Sequence, residues 1–417
     1  MSAAPTTVDS AVIPAVVRDV DLTEPLPAIP AVAPDGRRVE RVWLLVRCDT
    51  EPVGSLLLDV PETGLSPADL AAVVPDALHT AGTPGFRRRR EEVLRDAPPI
   101  TVVVCTRERP EPLARCLDSL LAQRYPRMRV LVVDNAPRTT ATADVVAAAA
   151  RRGRVDYLLA ERPGLSNARN RAVAACPGEI LAWIDDDEVA DPYWLAEIAR
   201  GFADHPEADV VAGVIVPAEL ETPAQLWFEE FGGHSKGRGF RPDVFSPATA
   251  HRQSPLYPLP PFATGANMTF RPGVIERIGG FDPALGAGTP AGGSEDTLAF
   301  TQVLLGGGTI VYQPSAVVRH YHRRDLRGLE EQLVGYGVGL AAAYTALLRQ
   351  DPRRLVPLLR LLPTALHDLL APDSPRTAGL GPEFPRELLS ANRRGMLRGP
   401  VAYARGRRAH RRAGAGR

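Results

Sequence analysis

The chain has 417 residues, which at roughly 150 residues per domain gives two to three units. Hydrophobic residues make up 45% and charged residues 24%, ordinary globular usage that argues against a disordered chain or a coiled coil. Lys+Arg 49 balances Asp+Glu 49, so no net charge marks a nucleic-acid partner, and a mechanism needing a catalytic lysine has only Lys236 to draw on.

Residues 1–39 are rich in Ala, Pro and Val and are expected to be disordered or extended. Asp9, Arg18, Asp19 and Asp21 interrupt any apolar stretch there, so a signal peptide is not expected. Residues 40–97 read as a small α+β module without catalytic residues. Val42–Arg47 and Val53–Asp59 are β-rich runs around a turn, which predicts a hairpin. Ser66-Pro67-Ala68-Asp69 has the cap, proline and acid of a helix start, and Arg87–Arg90 with Glu91 and Glu92 reads as a charged linker.

From residue 98 strands and helices alternate. Strands are expected at Ile100–Cys105, Val130–Val133, Tyr157–Ala160 and Ile180–Ile184; helices at Pro110 to about Gln123, Ala143–Arg151 and Ser166–Ala175. This order predicts an α/β fold, a mostly parallel sheet with helices on both faces. Ligands bind such sheets beyond the carboxyl ends of the strands. Thr106–Arg109, Asp134-Asn135 and Asp185–Asp187 stand at those ends. Residues 326–417 are expected to be helical: Leu326–Leu348, a proline-interrupted helix at 352–370, and an acid-free tail after Glu387 with nine arginines. Solubility is the plain reading of that tail, and attraction to anionic lipid or an acidic acceptor the sharper one. The longest uncharged run, Gln332–Leu348, is shorter than the ~20 residues of a spanning helix. Four scattered cysteines indicate neither a zinc ribbon nor a disulfide framework and suit a reducing cytoplasm.

Adjacent aspartates that end a buried strand repel one another unless a cation or donors neutralise them. Oxygen-rich sets with open positions suit Mg²⁺ or Mn²⁺ bridged to substrate phosphates. Asp191-Pro192 already caps the following helix, so Asp185–Asp187 are not needed for that.

The ordered set Cys105-Thr106-Arg107-Glu108-Arg109-Pro110, Val133-Asp134-Asn135, Gly164–Asn170, Ile184-Asp185-Asp186-Asp187, Gly279-Gly280-Phe281-Asp282 and Ser294-Glu295-Asp296 resembles family 2 of the glycosyltransferases. The likeness covers about 98–325. It implies a GT-A type, Rossmann-like fold and inverting transfer from a nucleotide-diphosphate sugar to an acceptor hydroxyl. A UDP-sugar is the expected donor, with dTDP- and GDP-sugars as alternatives. The resemblance implies that Thr106, Arg107 and Glu108 line the nucleotide pocket, that Asp134 bonds the base, and that Arg169 sits near the base or diphosphate. Asp185 would face the ribose or the metal, and Asp187 would bind Mn²⁺ or Mg²⁺ with Asp186 assisting. His320 matches a late histidine that completes the metal shell in some members. His322 competes with it, because an extended His320-Tyr321-His322 would point the two rings oppositely.

Acceptor attack needs a general base, and Asp296 is the candidate, with Glu295 raising its pKa or binding the acceptor hydroxyl. Ser294-Glu295-Asp296 also reads as a helix start. Phe262–Asn267 and the glycine-rich 286–293 segment, a lid or an ordinary turn, are expected near the acceptor; Trp227, Phe228 and Phe231 stack on it or belong to the core. The Gln-x-x-Arg-Trp motif of processive synthases is absent, which favours a single transfer per binding event. A nucleotidyltransferase and a non-catalytic sugar-nucleotide-binding protein are the alternatives. The expected location is cytoplasmic, with peripheral contact at the inner membrane face through the C-terminal region.

Overall fold

The computed structural model describes residues 14–234, 237–371, 374, 377, 380–381 and 383–415. Residues 1–13 of the expected disordered segment, Lys236 and the final two residues of the arginine tail lie outside the described residues. β1 (Ala15–Asp21) takes part of the segment expected to be disordered or extended. It pairs in parallel with β2 (Arg41–Cys48), burying Ala15 and Val20. β2 and β3 (Glu51–Asp59) form the expected hairpin, with Asp49 and Thr50 at positive φ in its turn. α1 (Pro67–Val73) starts on a reciprocal cap between Ser66 and Asp69, and α2 (Asp76–His79) follows. The stretch expected as a linker is instead helix α3 (Phe86–Arg95). Arg90 is buried there, 3.3 Å from Glu197 and over the Tyr193 ring. A buried arginine needs such a partner, and nothing near it in sequence reveals Glu197.

The main sheet is built from β4 (Ile100–Thr106), α4 (Pro110–Leu121), β5 (Met128–Asn135), α5 (Ala141–Ala150), β6 (Val155–Ala160), α6 (Leu165–Ala175) and β7 (Ile180–Asp185). β8 (Glu188–Ala190), α7 (Trp194–Asp204), β9 (Val210–Pro217), α8 (Pro223–Glu230), β10 (Asp243–Phe245), β11 (Asn267–Phe270) and α9 (Val274–Arg277) come next. α10 (Glu295–Leu305) and β12 (Ile310–His320) complete it. Strand order is β10-β12-β9-β11-β7-β4-β5-β6, with β8 against β12. The parallel half β7-β4-β5-β6 is the one the sequence predicts, while β11 runs antiparallel between β7 and β9. Alternate residues of β4 face opposite layers: Val103 enters one hydrophobic cluster, Val102 and Val104 the other. Helices therefore cover both faces.

Register sets the site. Thr106 lies opposite Asp134, and Cys105 opposite Asp185, so three strands end at one level.

The C-terminal region forms α11 (Leu326–Gln350), α12 (Leu355–Leu370) and α13 (Arg386–Ala415). α11 and α13 pack backbone to backbone: a Cβ on Gly337 would lie 2.0 Å from the Asn392 carbonyl oxygen, and one on Gly395 would lie 2.3 Å from that of Val334. No described helix is long and apolar enough to cross a membrane.

Gly337→Ala is expected to destabilise the protein by about 1–3 kcal/mol, because the two helices must separate to admit the methyl group. Gly335, on the same helix, has open space where its Cβ would stand. Gly335→Ala should leave stability unchanged or raise it by about 0.4–1 kcal/mol. Denaturant melts of the two variants beside the parent check the contrast.

Candidate active site

A cavity of about 510 Å³ opens at the carboxyl ends of β4, β5 and β7. Its floor is the acidic run at the end of β7, and α10 supplies the facing wall with Glu295 and Asp296. Tyr336, Leu340, Asn392 and Met396 close one side, so α11 and α13 are part of the site.

The three aspartates have different surroundings. Asp186 is buried and accepts from Thr106 Oγ1 at 2.6 Å and Arg109 Nη1 at 2.5 Å. Burial nonetheless pushes its carboxyl up to about 7. Asp187 accepts from Arg109 Nη2 at 2.8 Å and lies 3.6 Å from His320 Nε2. Burial works to raise the Asp187 carboxyl, yet His320, when protonated, and Arg109 hold it below the ordinary range. Burial also pushes His320 down to about 4, so its ring is neutral at pH 7 and Arg109 is the effective countercharge there. Asp185 accepts no side-chain hydrogen bond among the described residues, and its nearest cation, Arg169 Nη2, is 3.8 Å away. Burial pushes its carboxyl up to about 6. Glu188 turns inward from the cavity and accepts the Asp185 N–H at 2.9 Å, which tightens the turn.

Arg169, from α6, is fully buried. Its Nη1 lies 2.6 Å from Glu295 Oε1, and its Nη2 donates to the Gly265 carbonyl at 3.0 Å. Glu295 is thus held by Arg169, although burial raises its carboxyl. Asp296 is held differently. Its Oδ2 accepts the Gly265 N–H and its Oδ1 the Thr297 N–H, both at 2.6 Å, and it lines the cavity. Two backbone donors fix this carboxylate without a cation. Ser294 does not cap α10 as its position suggests. Its φ of 64° turns the chain sharply out of the glycine-rich segment, and its side chain makes no cap hydrogen bond. In that segment, the Leu165 N–H donates to Ala287 O at 3.0 Å, and Ala287, Gly288, Gly292 and Gly293 line the cavity.

Thr106, Arg107, Arg169, Asp185, Asp186, Asp187, Glu295, Asp296 and His320 all line this one cavity. Glu108 and Asp134 do not. Glu108 accepts the Arg138 and Thr139 N–H groups, and Asp134 is buried beneath Tyr157, whose O–H donates to it at 2.9 Å. Asn135 lines the cavity at the end of β5. His320 and His322 do not point oppositely: β12 ends at His320, and the two rings come together beyond it. Their Nδ1 atoms lie 2.8 Å apart. Of the three aromatics on and after α8, Trp227 and Phe228 are core and Phe231 lines the cavity. Asn267 is also structural, bonded to Trp194, Val214 and Ala316. The sequence reading missed Arg109 as the partner of two aspartates, together with His234, Arg323 and Tyr336 on the cavity wall. Adjacency to Thr106 was a signal for Arg109; the others come from distant segments.

Residues 101–279 match the family model described as Glycosyl transferase family 2. The chain is 28% identical over 199 residues to the glucosyl-dolichyl phosphate glucuronosyltransferase of Haloferax volcanii, covering 45% of this chain and 57% of that protein. It is 26% identical over 265 residues to the pre-mycofactocin glycosyltransferase of Mycobacterium tuberculosis, covering 62% and 50%. The matched part thus spans about half the length of these relatives. Among solved structures, the mannosyltransferase PcManGT from Pyrobaculum calidifontis, in complex with GDP-Man and Mn²⁺, overlays with a TM-score of 0.44. It is 21% identical, over 79% of this chain and 82% of that one. The ordered motifs, the parallel sheet with its acidic strand end, and this match converge on one part of the chain: residues 101–279 carry a glycosyltransferase family 2 domain.

Proposed function

We propose that the chain catalyses inverting transfer of a sugar from a nucleotide-diphosphate donor to an acceptor hydroxyl, with Asp296 as general base. One observation carries the reading. Asp296, held by two backbone amides and the Thr297 hydroxyl, and the Asp185–Asp187 run share one cavity, which also has room for a ligand. A carboxylate with that support is oriented but not neutralised, so it can take the proton of an attacking hydroxyl. Glu295 is bound to Arg169, which suits it to shaping the wall.

The donor set fits a divalent cation. Asp185 is a buried-end carboxylate without a hydrogen-bond donor of its own among the described residues, and Asp187 and the neutral His320 imidazole stand beside it. Asp187, Asp185 and His320 would hold Mn²⁺ or Mg²⁺, with Asp186 kept in place by Thr106 and Arg109. A bound ion of this kind supplies electrostatic stabilisation of the departing diphosphate. Thr106, Arg107 and Arg169 lie on the donor side, and UDP-, dTDP- and GDP-sugars are the donors to compare.

We further assign the C-terminal region to an anionic lipid surface. Leu355, Leu359, Leu362, Leu366 and Leu370 lie on one face of α12, each 46–61% exposed, and none of that helix is buried. Arg353 and Arg360 flank them, and α13 exposes Leu397 and Val401 beside Arg398 and Arg405. An apolar stripe with arginines suits the boundary between headgroups and acyl chains.

Asp296→Asn should bind donor with Mn²⁺ about as well as the parent, while turnover falls at least the ~10²–10⁴-fold typical of a lost general base. Near-parental turnover on a working acceptor would assign the base elsewhere. Asp187→Ala is expected to remove metal-dependent donor binding and leave the fold intact; calorimetry with UDP and Mn²⁺ giving unchanged affinity refutes that role. Replacing Leu359, Leu362 and Leu366 together by Gln should reduce binding to vesicles containing phosphatidylglycerol and leave donor hydrolysis unchanged. Equal vesicle binding at low and high salt removes the lipid assignment.

A further inference from the structure

A line of hydrogen-bonding groups runs away from the acidic floor into the protein. Asp187 Oδ1 faces His320 Nε2 at 3.6 Å, His320 Nδ1 meets His322 Nδ1 at 2.8 Å, and His322 Nε2 meets Glu229 Oε1 at 2.8 Å. The line joins the end of β12 to α8. The His322 side chain is 1% exposed and that of His320 11%, so the contact between the two rings is shielded from water, while Glu229 at the outer end keeps 25% of its exposure. The Phe228 ring meets His322 edge-on at 4.7 Å, and His234 meets His320 at 4.5 Å, which fixes both ring planes.

A neutral imidazole has one N–H and one bare nitrogen, so each contact in the line dictates the next. Both end carboxylates only accept. Glu229 is within hydrogen-bond reach of His322 at 2.8 Å whereas Asp187, 3.6 Å from His320, is not, so Glu229 decides and the proton of His322 is on Nε2. His322 Nδ1 is then bare and must accept, which puts the proton of His320 on Nδ1. His320 Nε2 is left bare, and it is the nitrogen that faces Asp187. A cation shared by all three nearby imidazoles would have to break the 2.8 Å contact between His320 and His322.

We infer that Glu229 and His322 are positioning residues that fix the tautomer of His320 and so aim its Nε2 lone pair at the cation held with Asp187. This rests on the metal reading above and adds two residues to it, neither of them a metal ligand. Outer partners of a ligating histidine commonly set its ring orientation and raise its basicity, and losing one costs metal affinity 10–100-fold.

Two measurements on the full-length chain test it. In metal-free protein labelled with ¹⁵N-histidine, two-bond ¹H–¹⁵N correlations should give His320 a protonated Nδ1 and a bare Nε2, and His322 the opposite pattern. A proton on His320 Nε2, the polarity a doubly protonated His322 would impose, overturns the inference. Calorimetric titration with Mn²⁺ alone should then show Glu229→Leu about 10–100-fold weaker than the parent. Glu229→Gln, whose amide oxygen still accepts from His322, should retain most of the affinity. Parental affinity in a folded Glu229→Leu variant refutes the positioning role. Should that variant not fold, a Glu229→Gln protein whose His320 keeps the same tautomer supports the inference, and one with a changed tautomer but parental affinity refutes it. A parent that binds no Mn²⁺ would sink the metal reading, while the tautomer spectrum would still decide the polarity of the line.

Discussion

Carboxylates removed from water must be matched by donors or cations, and the end of β7 brings Asp185, Asp186 and Asp187 together at the edge of a buried sheet. The parallel pairing of β4 with β5 and β7 makes the problem and part of its solution. The same register that aligns Cys105 with Asp185 carries Thr106 and Arg109 to where Asp186 and Asp187 need them. Asp185 alone is left without a side-chain donor, and it is the member of the run that opens widest to the cavity, with its side chain 39% exposed. The site is therefore unevenly neutralised, with Asp185 the least compensated of the three.

The opposite wall solves the same problem twice. Glu295 is neutralised by Arg169, whose other terminal nitrogen ties down the Gly265 carbonyl. Asp296 is satisfied by the Gly265 and Thr297 amides. The glycine at 265 matters because a Cβ there would stand 3.0 Å from both Arg169 and Asp296. One backbone position thus holds an arginine and an aspartate at a fixed separation. Adjacent acids on α10 acquire different chemistry from this difference in partners.

The C-terminal helices are part of the site as well as an appendage. Their close crossing at Gly337, Gly395 and Gly399 brings Tyr336 and Met396 to the cavity wall, and Gly339 lets α11 approach Ser294. The wall these helices supply, with Tyr336, Leu340 and Met396, is more apolar than the acidic floor. α12 takes no part in that packing and keeps its leucines outward.

Much of this was legible in the amino-acid order. The helix and strand periods, the hairpin, the Ser66 cap and the acids at three strand ends follow from local rules that need no distant partner. So does the resemblance to family 2 glycosyltransferases, because its short motifs keep their order along the chain. What local rules do not contain is which distant group meets which. Arg90 reads as part of a solvated run until Glu197 is placed beside it, and Glu108 reads as a pocket residue until the Arg138 and Thr139 amides claim it. The antiparallel insertion of β11, the partnership of Arg109 with two aspartates, and the line from Glu229 through His322 to His320 belong to the same class. Sequence determines which groups carry charge and which segments become strands, since those depend on residue type and nearest neighbours. Tertiary structure decides which charges are paired and which stay open to a ligand, because desolvation and hydrogen-bond geometry arise only when segments far apart in the chain are packed together.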